Sequence, residues 1–285
     1  MSTSVKSLTT QLANRGPHQV QRGDLAFAGQ PGVVFAPAEG FGLPAVAFGH
    51  GWMTSVHNYR TFLEHLASWG IVVAAPDTER GPLPSHRGLA ADLSTALDIC
   101  VNVRLGTGKI SVHPDKLAVV GHGMGAGVAV LAAARRADVA AVGALFPATT
   151  APPAATVAPS VQVPALVVAG ATDLHTQQAP AAELAAAWGG PAVLRAVEEA
   201  TDHGLVEGRR VLAALGAGAH EVKTSKSTRA LLTGFLLHTL QRDDEYKAFA
   251  DTESAIPRTL VIDPTAPPEV PPKSKARVVR SMLGR

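Results

Sequence analysis

The chain has 285 residues, 46% of them hydrophobic and 17% charged, so it can bury a large core without disulfide or metal staples. Its formal charge of +2 argues against the electrostatic footprint of a nucleic-acid binder. The single cysteine, Cys100, excludes an intramolecular disulfide framework and a Cys-rich metal cluster, and it fits a reducing, cytoplasmic compartment.

Residues 1–16 are polar without a clear period and read as a loose N-terminal arm. Met1 to Arg15 holds no continuous apolar stretch of the kind a secretory signal requires. From residue 17 to 241 short β-type runs alternate with helical patterns, as expected of one domain. Strands are predicted at 32–35, 45–48, 71–75, 117–120, 142–146, 165–169 and 193–197. Most are apolar without alternation, which is how strands buried on both faces of a parallel sheet look. Helices are predicted at 59–69, 89–103, 125–135, 180–188, 206–215 and 227–240. Strand alternating with helix implies a doubly wound, mostly parallel α/β sheet. The run from Leu117 to Ala134 carries no charge, but glycines and His122 interrupt it; strand, turn and helix explain it better than a transmembrane segment. Residues 148–164 form an uncharged Pro/Ala/Thr loop within the domain. Residues 242–285 read as a proline-rich, basic-ended, flexible tail. The apolar Val278, Val279, Met282 and Leu283 between basic residues leave open a docking role toward a protein partner or an anionic surface. The alanine-rich, lysine-poor composition suggests a GC-rich bacterial genome.

The most informative stretch is Leu117-Ala-Val-Val-Gly-His-Gly-Met-Gly-Ala-Gly-Val128. A buried strand runs into a tight glycine turn that opens a small-residue helix. In a nucleophile elbow, G-x-S-x-G, glycines flank a strained residue presented above the sheet. Gly121 and Gly125 fit the flanks, and the middle position is Gly123. The dinucleotide fingerprint G-x-G-x-x-G/A is matched formally by Gly121, Gly123 and Ala126. It wants an acid at the end of the next strand to hold a ribose, and that strand ends at Phe146-Pro147-Ala148.

The rest of the chain favours the elbow. Ala45-Val-Ala-Phe-Gly-His-Gly-Trp52 puts a glycine turn after an earlier strand, where an oxyanion-hole loop belongs. Asp173 ends a later strand, and His203 follows the next one. The order elbow, acid, histidine is the hydrolase order. In these phrases, and in Leu66-Ala-Ser-Trp-Gly-Ile-Val-Val-Ala-Ala-Pro-Asp77 and His113-Pro-Asp-Lys-Leu-Ala-Val-Val-Gly-His-Gly-Met-Gly125, residues 17–240 resemble the α/β-hydrolase superfamily. The nearest look is its dienelactone hydrolase, chlorophyllase-like and PET-hydrolase/cutinase-like branch. The resemblance implies Asp173 as triad acid and His203 as base. It implies the backbone N–H groups of Trp52 and Met124 as oxyanion hole, and His122 beside the pocket. Gly123 occupies the slot of the nucleophile, and glycine has no atom that can attack a carbonyl.

Other readings compete at several positions. Asp173 also reads as an ordinary strand-end loop acid, and His175 and His220 rival His203. Gly123 suits any turn that demands positive φ. His50 and His57 with Asp77 or His86 would be the metal candidates, but no helix-spaced pair accompanies them, so neither metal nor cofactor is expected. Cys100 reads as a core residue. Leu105-Gly-Thr-Gly-Lys-Ile110 lacks the first glycine and the hydroxyl residue of a P-loop. The expectation is an α/β-hydrolase-fold protein that binds a small apolar or ester-like ligand, or acts as a scaffold, without catalysis. The alternative is an active or weak ester or lactone hydrolase that uses the Asp173–His203 pair with water.

Overall fold

A computed structural model of the chain describes residues 3–171, 180–208 and 220–265. Among these residues one sheet contains β1 (Val20–Asp24), β2 (Gly32–Pro37), β3 (Gly40–Gly49), β4 (Val72–Pro76), β5 (Ile110–His122), β6 (Val139–Leu145), β7 (Ala165–Gly170), β8 (Ala192–Val197) and β9 (Thr259–Val261). Their spatial order is β1-β2-β4-β3-β5-β6-β7-β8-β9. Pairings from β4 through β8 are parallel, whereas β1–β2, β2–β4 and β8–β9 are antiparallel.

Seven helices accompany the sheet among the described residues: α1 (Val5–Leu12), α2 (Arg60–Ser68), α3 (His86–Asn102), α4 (Met124–Ala133), α5 (Ala154–Val157), α6 (Ala181–Ala186) and α7 (Val222–Gln241). They cover both faces. Along β5, Leu117 and Val119 join a core with α3, α4, α5 and α6, while Ala118 and Val120 join a second core with α1, α2 and α7. Ala45 and Ala47 divide from Val46 and Phe48 along β3 in the same way. A two-residue side-chain period with both faces dry requires apolar residues at every position. That is why these strands read as unbroken runs. α4 is buried on all sides, so its sequence carries no amphipathic stripe. No described helix is long and apolar enough to cross a membrane.

The structure departs from the sequence reading at both ends. Where residues 1–16 read as a loose arm, Val5–Leu12 forms a helix capped by Ser4, with Leu8 and Leu12 buried in the second core. One i, i+4 leucine pair is too little pattern to announce a helix, but it suffices once α7 offers a surface. Where a tail was expected from residue 242, a 3-10 segment (Asp244–Ala250) buries Phe249, and β9 pairs with β8. The organising group there is Arg195 of β8, which is fully buried. Its guanidinium donates to the carbonyls of Asp251 at 2.7 Å and Ser254 at 3.1 Å. Burial lowers its pKa to about 10, so it stays charged at neutral pH. Residues 266–285, with the basic segment and its apolar anchors, lie outside the described residues. So does most of the helix expected at 206–215. The loop 148–164 is shorter in irregular structure than expected, because α5 and a 3-10 turn (Ala158–Ser160) occupy its centre.

The second core also holds a titratable group. His65 of α2 is buried, with Nε2 3.2 Å from the Thr233 hydroxyl on α7. Burial, reinforced by the nearby Arg229 guanidinium, pushes its imidazole pKa down to about 3. The folded value lies below the unfolded one of about 6.5, so the unfolded chain takes up the proton first. Stability from this site is therefore full above about pH 6.5 and declines by about 1.4 kcal/mol per unit as pH falls toward the folded value. At pH 4 the loss should reach roughly 3 kcal/mol, read as the difference in urea midpoints between the natural protein and His65→Gln. Identical acid sensitivity in the two would contradict a buried neutral histidine.

Candidate active site

β5 delivers His122 and Gly123 to the start of α4, at the end of the sheet where parallel strands deposit their ligands. Gly123 has φ 57° and ψ −120°, a conformation that glycine tolerates and other residues adopt only under strain. Its N–H donates to the Leu145 carbonyl at 2.9 Å, and its own carbonyl accepts from Ala126 and Ala148. The turn is thus fixed from both sides by backbone bonds.

The glycines around it are there for two different reasons. A Cβ on Gly121 would lie 1.9 Å from the Gly125 carbonyl oxygen, and one on Gly125 would lie 2.1 Å from that of Gly49. The main chains of β3, β5 and α4 meet so closely that no side chain fits. A Cβ on Gly123 would instead meet only the Gly51 Cα, at 3.8 Å. Position 123 therefore demands an unusual backbone but leaves room for a side chain.

The loop after β3 carries His50, Gly51 and Trp52. His50 is fully buried; its Nε2 lies 2.7 Å from the Thr78 carbonyl and its Nδ1 2.9 Å from that of Gly51. Its ring is committed to holding the loop. Trp52 directly follows the residue nearest position 123, and its indole turns outward, half exposed, donating to the Pro82 carbonyl at 3.1 Å. Met124 is buried as the first residue of α4. Its amide belongs to the first turn, where N–H groups have no intrahelical acceptor and the helix end carries partial positive charge. Such a helix end suits an oxyanion.

A connection that the sequence did not announce ties the site together. The Gly51 N–H donates to the Tyr59 hydroxyl at 3.1 Å, and that hydroxyl lies 2.8 Å from His122 Nδ1. His122 Nε2 lies 2.6 Å from the Asp202 carbonyl. Because a carbonyl only accepts, Nε2 carries the proton there and Nδ1 accepts from the Tyr59 O–H. The rings of Phe48, Tyr59, His122 and Phe146 follow one another with centroids 5.0, 5.5 and 6.0 Å apart. His122 was expected beside a pocket; buried and bonded at both nitrogens, it ties the loop after β3 and the turn Asp202–Leu205 to the elbow. Tyr59 was legible only as the start of a helix pattern.

His203 stands on the turn Asp202–Leu205, one residue from the carbonyl that His122 holds, and its side chain is 43% exposed with Nε2 3.7 Å from the Asp202 carboxylate. It is therefore open to solvent and to a ligand. Glu221 secures the same turn by accepting from the Thr201 N–H at 3.2 Å and the Thr201 hydroxyl at 2.8 Å. Asp173 lies outside the described residues, as does the rival His175. The other rival, His220, is exposed just before α7. Cys100 is buried in α3, where burial pushes its thiol up to about 12. His57, the other metal candidate, is exposed, and no group of three or more potential metal ligands occurs among the described residues.

Residues 5–185 match a family model described as PET hydrolase-like. Over 123 residues the chain is 32% identical to chlorophyllase type 0 of Chenopodium album, a match covering 40% of this chain and 35% of that protein. Over 116 residues it is 31% identical to cutinase 2 of Thermobifida cellulosilytica, covering 41% of this chain and 44% of the cutinase. A match of the same length and identity to cutinase cut1 of Thermobifida fusca covers 36% of that protein. In each case the matched stretch spans less than half of the curated relative. The family match takes in the sheet through β7, the elbow and the loop after β3, and on that ground the chain belongs to the PET hydrolase-like family of α/β-hydrolase-fold proteins.

Proposed function

We propose that this protein is a non-catalytic member of its family, a pseudo-hydrolase that binds a small apolar or ester-like ligand or serves as a scaffold. One observation carries the reading: the residue at the centre of the elbow is Gly123, whose backbone has the positive-φ conformation of that turn and which offers no attacking atom. In serine hydrolases, loss of the nucleophile alone costs on the order of 10⁶ in turnover, about 8 kcal/mol of barrier. The helix end at Met124 and the partly exposed His203 are the groups left at the elbow to meet a ligand. The second reading, slow hydrolysis by water with His203 as base and Asp173 as its partner, is favoured only by that exposed imidazole.

The two readings separate in one experiment on the natural protein. A fluorophosphonate probe should leave the protein unlabelled at the elbow. Hydrolysis of p-nitrophenyl butyrate should not exceed that of His203→Ala. Turnover well above that variant would overturn the non-catalytic reading in favour of water attack.

A further inference from the structure

We propose a second ligand site, remote from the elbow, that takes an organic carboxylate with an apolar body. A groove of about 500 Å³ lies among α3, α4 and the α5 segment, within the size range of small-molecule sites. Its rim carries Arg87 from the first turn of α3 and Arg135 just after α4. Its floor includes Ala90 and Leu131, both buried, and the half-buried Val157. No carboxylate lines it.

The charge pattern identifies the occupant. Arg136, adjacent in sequence, is neutralised by Asp98 at 2.8 Å and Asp138 at 2.5 Å. Arg87 and Arg135 make no ion pair among the described residues. Two guanidinium groups without ion-pair partners at the rim of a groove attract anions, and their planar donor forks match a carboxylate. The groove hydroxyls compete poorly as donors, because Thr156 and Ser160 already donate to the Pro153 and Val157 carbonyls, each at 2.7 Å. The head group is therefore assigned to the arginines, and the apolar part of the lining favours a ligand with an apolar body over a bare ion. The groove opens at the far end of α4 from Gly123, roughly 15 Å along the helix axis, and it does not depend on how the elbow chemistry is read.

Octanoate, 1-octanol and inorganic phosphate, titrated separately into methyl-labelled protein, test this. Octanoate should shift the Leu131 and Val157 methyl resonances saturably. The exposed pair Arg87→Gln/Arg135→Gln should weaken it about tenfold or more, the scale of lost charge-assisted hydrogen bonds. 1-Octanol and phosphate should each bind far more weakly than octanoate. Absence of saturable shifts, equal octanoate affinity in a folded double variant, or phosphate or 1-octanol binding as tightly as octanoate would each overturn the proposal.

Discussion

Gly125→Ala should destabilise the fold by about 3 kcal/mol or more, the upper range for overpacking a core. The added Cβ would lie 2.1 Å from the Gly49 carbonyl oxygen, 2.4 Å from its carbon and 2.6 Å from the His50 carbonyl oxygen. All are backbone atoms of β3 or of the loop after it, so no rotamer change relieves the contact. Relief requires α4 to move away from the sheet by most of an ångström, and α4 is buried on every side. The displacement would also carry Met124 and Gly123 away from Gly51. Gly81→Ala is the matched control, since nothing lies within 4 Å of the added methyl; it should be neutral or slightly stabilising, by up to about 1 kcal/mol. Urea denaturation of the two variants measures the difference. A Gly125→Ala protein within about 0.5 kcal/mol of the natural one would mean that main chains do not meet closely at the elbow.

How much of this was readable beforehand follows from the physics of each element. Strands β2 to β8 were legible because burial on both faces forces continuous apolar runs. Edge strands β1 and β9 were not: β1 is polar and half-buried, β9 is short and exposed, and each is held by pairing with one neighbour. Gly121 and Gly125 signalled the turn by spacing alone, but their reason, contact with the carbonyls of Gly125 and Gly49, needs three chain segments at once. The buried Arg195 sits in a run, Val193-Leu-Arg-Ala-Val197, that reads as apolar strand with one interruption. Its partners are backbone carbonyls more than 50 residues away, and carbonyls leave no trace in a sequence. The His122–Asp202 link was hidden for the same reason, and the Tyr59–His122 link because its partners lie 63 residues apart. The pairing expected between Asp173 and His203 stays a proposal, because Asp173 lies outside the described residues.

Gly123→Ser should give the largest change in chemistry available to a single substitution here. Its Cβ has space, with only the Gly51 Cα at 3.8 Å, so the obstacle is conformational. Holding a serine at φ 57° and ψ −120° should cost about 1–3 kcal/mol, a cost the turn can bear because backbone bonds from Leu145, Ala126 and Ala148 fix it. Gly123→Ala should show the same loss of stability and no gain of activity, which separates strain from chemistry. The serine variant should become labelled by the fluorophosphonate probe and should hydrolyse p-nitrophenyl butyrate faster than the natural protein. Both gains should disappear on adding His203→Ala, because a serine attacks only with its base within hydrogen-bond reach, about 2.6–3.2 Å. The anchoring of Asp202 to His122 argues that the histidine turn is held close enough for this. A folded serine variant that stays unlabelled would show that His203 does not reach position 123 in a geometry fit for a base. Labelling that survives His203→Ala would assign the base to another residue and overturn the role given to His203.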